Sequence, residues 1–385
     1  MIVAGEASGD AHAATLVRAL GEAAPEDDFD FFGATGVQMR ESGVDSIVRS
    51  DELAIMGIFE VGRVFPKFWR AFCALRDAAC ERKPDAVILV DWPEFNLRLA
   101  RSLHRKGIRV IYYISPQVWA WRSYRARSIQ RNVDLLLCIL PFEPDWYKDH
   151  AVANAVFVGH PLTGEIHPRC GRSEFCAAHR FDNSRPLVAL LPGSRHREVA
   201  RILPPMLDAA SVINRIQPEI QFVIALAASR PIEEAESIIA NHGNVPTSLK
   251  VVQGETHEAI AAADVAAIAS GTATLEAAII GTPFVMAYRE SRVNWHTLGR
   301  LITAEHYGLV NLIGGEQIVT ELMQEDLTGE KLSSELLALL DQERNATMRA
   351  RLHEVAAMLG MGDASSRAAT EIMGALRKWK LGNEK

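Results

Sequence analysis

Short apolar runs that close on a turn and open a helical pattern recur along this chain, and nothing else in the sequence limits its folding so tightly. In the first half the runs fall at Ile2–Gly5, Asp85–Val90, Arg109–Ile114, Asp134–Leu140 and Ala155–Val158, with a weaker one at Asp30–Gly33. Helical patterns lie between them, at Ala11–Leu20 and about Glu94–Arg105. Strands that are apolar throughout are buried on both faces, and their alternation with helices produces a parallel sheet covered on both sides. The second half repeats the scheme with strands expected at Leu187–Leu191, Gln221–Leu226, Leu249–Gln253, Val265–Ala269, Pro283–Ala287 and Leu309–Leu312.

The expected fold is therefore α/β, with two doubly wound, Rossmann-like domains facing a cleft and a C-terminal helical segment. The boundaries read as 1–165 and 166–350. The Pro-, Gly- and Arg-rich stretch His160–Arg185 forms the connection, and a helical tail at 351–385 packs back on the first domain or on a partner subunit. At 385 residues the chain is long enough for two full cores. A hydrophobic share of 48% against 23% charged excludes a largely disordered chain. A net charge of -7 argues against nucleic acid as partner, so any basic surface must be local. Five cysteines without a Cys-x-x-Cys fit a reducing cytoplasm. No secretory n-region is evident, and no apolar run approaches the roughly 20 residues of a membrane span. A Gly-x-Gly-x-x-Gly fingerprint is absent, which argues against a dinucleotide oxidoreductase.

Ligands of doubly wound sheets bind beyond the carboxyl ends of the strands. In the second half two such ends carry anion-ready turns. Pro192-Gly193-Ser194-Arg195 follows the strand Leu187–Leu191. Gly193 allows close approach, the helix start offers free N–H groups, and Arg195 brings a positive fork for phosphate oxygens. Ser270-Gly271-Thr272 follows the strand Val265–Ala269 in the same way. Two such turns on one sheet edge suggest a nucleotide pyrophosphate. Glu276 is not a capping-box residue, since position 273 is Ala, and it is placed to accept ribose hydroxyls.

In the first half, Gly5-Glu6-Ala7-Ser8-Gly9-Asp10 ends the first strand. Glu6, Ser8 and Asp10 are substrate-binding candidates, although Asp10 equally suits the N-cap of the following helix. Asp91, at the end of the most apolar strand, is a candidate general base, with a helix-start carboxylate as the plainer alternative. Tyr112–Arg122 concentrates aromatics, and Arg122, Arg125, Arg127 and Arg131 gather positive charge suited to phosphate. Phe65, Phe68, Trp69 and Phe72 recur at helical spacing among Arg63, Lys67 and Arg70, as in a segment resting on an anionic membrane or, equally, in a core stripe. His12, His160 and His196 show no ligand spacing, so no metal and no cofactor is expected.

Eight stretches, in order, resemble the lipid-A-disaccharide synthases. They are Gly5–Asp10, Met56-Gly57-Ile58-Phe59-Glu60-Val61, Asp91-Trp92-Pro93-Glu94-Phe95-Asn96, Ser115-Pro116-Gln117-Val118-Trp119-Ala120-Trp121-Arg122, Leu140-Pro141-Phe142-Glu143, Gly159-His160-Pro161, Leu191–Arg195 and Ser270–Glu276. The resemblance implies an inverting, metal-independent GT-B glycosyltransferase of lipid A synthesis. Its donor would be UDP-2,3-diacylglucosamine and its acceptor 2,3-diacylglucosamine 1-phosphate (lipid X), joined through a β-1,6 bond. It further implies Asp91 as base, Arg195 at the donor phosphates, Glu276 in the nucleotide site and Asn311 in a late substrate loop, where Val310 stands in place of the family's Pro. Arg122 and Arg125 become candidates for the acceptor phosphate. A homodimer exchanging C-terminal segments, and peripheral attachment to the inner face of the inner membrane, are also implied. A UDP-sugar 2-epimerase of the same two-domain plan is the alternative, and a non-catalytic nucleotide-sugar binder is a third reading.

Overall fold

The computed structural model describes residues 1–54, 61–243, 245–291, 295, 306–360 and 362–383. They divide into two units, Met1–Gly164 with Leu359–Lys385, and Glu165–Met358.

The first unit holds a seven-stranded sheet built from β1 (Ile2–Ala4), β2 (Phe32–Thr35), β3 (Asp45–Arg49), β4 (Val87–Val90), β5 (Val110–Tyr113), β6 (Leu135–Cys138) and β7 (Ala155–Phe157). Their order is β3-β2-β1-β4-β5-β6-β7, with every neighbouring pair parallel. The second unit holds β8 (Leu187–Leu191), β9 (Gln221–Leu226), β10 (Leu249–Gln253), β11 (Val265–Ala269), β12 (Phe284–Tyr288) and β13 (Glu321–Met323). Here the order is β10-β9-β8-β11-β12-β13, again parallel throughout. Both sheets are doubly wound α/β layers, and each reverses direction once, between β1 and β4 and between β8 and β11. At such a switch point neighbouring crossovers leave to opposite faces and a crevice opens.

The central strands β4, β5, β6, β8, β9 and β11 are buried along their whole length, which is why they read as unbroken apolar runs. Glycine sets the closest approach at one point. A Cβ on Gly5 would lie 1.9 Å from the Trp92 ring, so no larger residue fits between β1 and the end of β4.

Three sequence expectations change. Leu309–Leu312 is helical, within Leu309–Gly314, and the sixth strand is Glu321–Met323 instead. A short buried apolar run does not separate strand from helix by periodicity, and Gly308 at the N-cap and Gly315 in the left-handed region bound a helix here. The stretch His160–Arg185 carries two helices, Leu162–Glu165 and Arg172–His179. The chain returns to the first unit at Leu359, later than 351, because the helix Gln342–Met358 packs on Thr272–Ile280 and Leu309–Gly314. The last helix, Ala364–Asn383, lies on the first helix of its own chain and buries Ala368, Ala369, Ile372 and Met373 there.

Candidate functional site

The first unit's switch point is occupied by Asp91 and Trp92. Both have left-handed backbones, φ 48° and 51°, which cost non-glycine residues roughly 1–3 kcal/mol each. Their neighbours impose it. Asp91 N–H donates to Tyr113 O (3.0 Å), while its carbonyl accepts from Tyr112 Oη (2.6 Å) and Asn96 Nδ2 (2.8 Å). Trp92 lies between the bare backbone of Gly5 and the Phe95 ring, stacked at 4.2 Å. Pro93 then starts the helix Pro93–His104 with its φ already set. Burial raises the Asp91 carboxyl above the ordinary range, and the charge of Glu6 adds to it. Glu6 and Ser8 are exposed at the start of the first helix.

Beside Asp91 is a cavity of about 280 Å³ walled by Ser115, Trp121, Arg122, Arg125 and Glu143. The arginines are not bare. Glu94 accepts from Arg125 (2.8 and 3.0 Å) and from Arg122, and these bonds hold its carboxyl below the usual range. Arg122 also lies 3.7 Å over the Trp121 ring. Glu143 fixes the loop they sit on. One of its oxygens accepts from Trp119 Nε1 (3.1 Å), the other from Leu140 N (3.0 Å) and Ile139 N (3.2 Å), and burial pushes its carboxyl up to about 7.

Asp10 does not serve as expected. It is buried, and its carboxylate accepts from the N–H groups of Gly36 (2.7 Å), Gln38 (2.8 Å) and Met39 (3.2 Å). It thus caps the helix Val37–Glu41, not its own, with three of its acceptor positions taken by backbone N–H groups. A Cβ on Gly36 would lie 2.4 Å from its Cγ, which matches the two residues to each other. The aromatic stripe on the helix Val61–Arg82 divides. Phe68 and Phe72 pack on Trp92 and Phe95 and belong partly to the core, while Trp69 is 55% exposed and stacks on Phe72 at 5.6 Å. The Phe65 side chain and the stretch 55–60, with most of Met56–Val61, lie outside the described residues.

In the second unit, the turns after β8 and β11 face one cavity of about 540 Å³, lined by Gly193, Ser194, Arg195, Ser270, Gly271, Thr272 and Glu276. Gly193 has φ 113° and Gly271 has φ 151°, backbones that favour glycine. The donors of the first turn are already engaged. Glu198 Oε2 accepts from Ser194 N (3.0 Å) and Arg195 N (3.1 Å), and Oε1 accepts from Arg195 Nη1 (3.0 Å). A carboxylate of the chain itself therefore occupies an anion nest, with the Arg195 side chain 83% exposed beside it. Glu276 pairs with His257 at 3.3 Å, and that bond raises the His257 imidazole above its ordinary value.

Asn311 is elsewhere and fully used. Its Nδ2 donates to Val319 O (2.9 Å) and Glu321 Oε1 (2.8 Å), and its Oδ1 accepts from Ile318 N (2.8 Å) and Val319 N (2.9 Å). It staples the loop before β13, is fully buried, and has no hydrogen-bonding capacity left for a substrate.

Sequence reasoning missed Glu198, Glu94 and His257. Glu198 stands three residues after Arg195, at capping-box spacing, and could have been found. Glu94 meets residues 28 and 31 positions away and His257 meets Glu276 across two helices, so neither pairing left a local signal. Among the described residues, no group of three or more His, Cys, Asp and Glu side chains is placed to hold a metal ion.

Residues 1–372 match the family described as lipid-A-disaccharide synthetase. The lipid-A-disaccharide synthase of Solibacter usitatus is 42% identical over 97% of this chain and 96% of its own. That of Geobacter sulfurreducens is 40% identical over 98% and 97%. Among solved structures, the UDP-GlcNAc 2-epimerase from Neisseria meningitidis superposes with a TM-score of 0.63 at 10% identity, over 95% and 97% of the two chains. The glycosyltransferase of kitacinnamycin does so at 0.61 and 16%, over 97% of each. At such identities these structures speak for the fold alone, which is GT-B.

Proposed function

The chain belongs to the lipid-A-disaccharide synthase family, and from that premise we propose which residues carry its glycosyltransfer. The donor is UDP-2,3-diacylglucosamine and the acceptor is 2,3-diacylglucosamine 1-phosphate (lipid X). Asp91 takes the proton of the acceptor 6-hydroxyl. That oxygen attacks the donor's anomeric carbon opposite the diphosphate, the bond to UDP breaks, and the β-1,6 disaccharide 1-phosphate forms with inversion. A single base suffices for this displacement, and a carboxyl raised by burial takes the proton more readily than an exposed one.

The second unit holds the donor. Its diphosphate enters the Gly193-Ser194-Arg195 turn in exchange for Glu198. The turn N–H groups, Arg195 and the start of the helix Thr272–Ile280 then carry the charge that develops on UDP, an effect of several kcal/mol per donor at such sites. Glu276, held by His257, accepts the ribose hydroxyls. In the first unit Arg122 and Arg125 meet the acceptor phosphate, with Glu94 holding them parallel until it arrives. Exposed Trp69 rests against acyl chains or lipid, and the protein sits peripherally on the cytoplasmic face of the inner membrane. Among the described residues no helix is long and apolar enough to cross a membrane, and all five cysteines are free.

The observation that carries this reading is the coincidence of chemistry and topology. Asp91 stands at one switch point, and both anion turns flank the other. Calorimetry with UDP tests the donor half. Arg195→Ala and Glu276→Gln are expected to weaken UDP by roughly 10-fold or more, the worth of one charged hydrogen bond, whereas Asp91→Ala leaves it unchanged. Unaltered affinity in both of the first two variants would move the donor elsewhere.

A further inference from the structure

Four arginines of the first unit gather around one hollow outside this scheme. Arg101 and Arg105 come from the end of the helix Pro93–His104, and Arg127 and Arg131 from the helix Ala126–Asn132. Together with Tyr124 they wall a hollow of about 400 Å³. All four are exposed, and among the described residues none of their guanidinium groups has an ion pair or hydrogen bond. No carboxylate lines the hollow. The nearby acids are spoken for, with Glu94 taken by Arg122 and Arg125 and Asp77 by Arg76. On the neighbouring helix Val61–Arg82, among the described residues, Glu81 is the acid left without an ion pair. Guanidinium groups stay charged at any working pH, so four of them without a counter-ion repel one another in the free protein. In a chain of net charge -7, that concentration is local and not a consequence of composition.

The surroundings indicate what supplies the negative charge. The helices Val61–Arg82, Pro93–His104 and Ala126–Asn132 share one core cluster and form one layer on the first sheet. That layer exposes Trp69 (55%), with Lys67 and Arg70 beside it in sequence, and Tyr124 (70%) stands in the turn Ser123–Arg125 that leads into Ala126–Asn132. Exposed rings with one apolar and one polar edge, interspersed with cations, suit the interface of an anionic bilayer. A planar guanidinium takes two phosphate oxygens at once.

We propose that the Arg101–Arg105–Arg127–Arg131 hollow docks the phosphate headgroups of anionic phospholipid and so holds this helical layer against the membrane. The proposal rests on the peripheral-membrane reading above and names the surface responsible.

Co-sedimentation with vesicles tests it, using phosphatidylcholine alone and phosphatidylcholine mixed with phosphatidylglycerol. Each arginine near an anionic surface is worth about fivefold in affinity. Changing all four to Gln is therefore expected to reduce partition onto the mixed vesicles by roughly 600-fold at low salt, while binding to neutral vesicles and UDP release in detergent micelles stay as in the wild type. The pairs Arg101→Gln with Arg105→Gln and Arg127→Gln with Arg131→Gln, each on its own helix, should each lose part of the effect. They keep the test open if the fourfold variant fails to fold. Undiminished partition of the variants would overturn the proposal. So would tight binding of inorganic phosphate at these arginines with vesicle partition unmoved, which would make the hollow a site for free anions. If the wild type ignores both vesicles, the peripheral-membrane reading itself fails, a result distinct from loss of the arginine effect alone.

Discussion

Glu198→Gln should tighten UDP. The wild-type carboxylate accepts two backbone N–H groups at 3.0 and 3.1 Å and faces Arg195 across 3.0 Å, so an incoming diphosphate must displace it. Hydrogen bonds to a charged group contribute about 1.5–3 kcal/mol when sheltered, and the pair with an Arg195 that is 83% exposed adds little. After discounting for exposure, about 1 kcal/mol opposes the ligand, or roughly fivefold in affinity. Gln keeps an acceptor for the turn, so stability should fall by less than about 1 kcal/mol, seen as a melting point lower by no more than about 2–4 °C. Calorimetry with UDP and a thermal melt on the same samples give both numbers. The two changes have opposite signs, which a simple loss of helix capping does not produce. Unchanged or weaker UDP binding would refute the exchange and leave Glu198 as a cap that stays in place.

Asn311→Ala removes four buried hydrogen bonds and should cost roughly 3–5 kcal/mol, a fall of roughly 10 °C in melting temperature, while the folded protein binds UDP as before. A selective loss of substrate affinity with no fall in stability would restore Asn311 to the binding site. Asp91→Asn should melt higher than the wild type at pH 7 while its turnover falls. Burial raises the folded carboxyl above its unfolded value, so stability from this group is fully present below about 3.8 and is lost as pH rises through the folded value. Thermal melts from pH 3 to 7 should show the gain vanish at the acid end. Wild-type turnover should correspondingly fail on the acid side at a pH above that of an exposed aspartate.

The architecture was legible because fully buried parallel strands write themselves as unbroken apolar runs. β4, β8 and β11 could be placed with the turns that follow them. β3 was not, because its burial is partial and Asp45-Ser46-Ile47-Val48-Arg49 offers no apolar run. Leu309–Leu312 misled for the opposite reason, being apolar but helical. Positions chosen for standing at strand ends came to the cavities: Asp91, Gly193, Arg195, Ser270 and Glu276. Asp10 and Asn311 did not, although their residue types suit sugar hydroxyls equally well. What separates them is where their hydrogen bonds go, to Gly36–Met39 and to Ile318–Glu321, and those partners are set by tertiary structure alone. The Glu94 clamp on Arg122 and Arg125 was hidden likewise, since the basic run looked free until its counter-ion arrived from another helix.

The central claim is that Asp91 activates the acceptor hydroxyl for displacement of UDP. Its most direct test is UDP release from UDP-2,3-diacylglucosamine with and without lipid X, in wild type and Asp91→Ala. Release should require lipid X and fall by about 10²–10⁴-fold in the variant, with UDP affinity intact. Turnover without acceptor, or full activity in Asp91→Ala, would contradict the account.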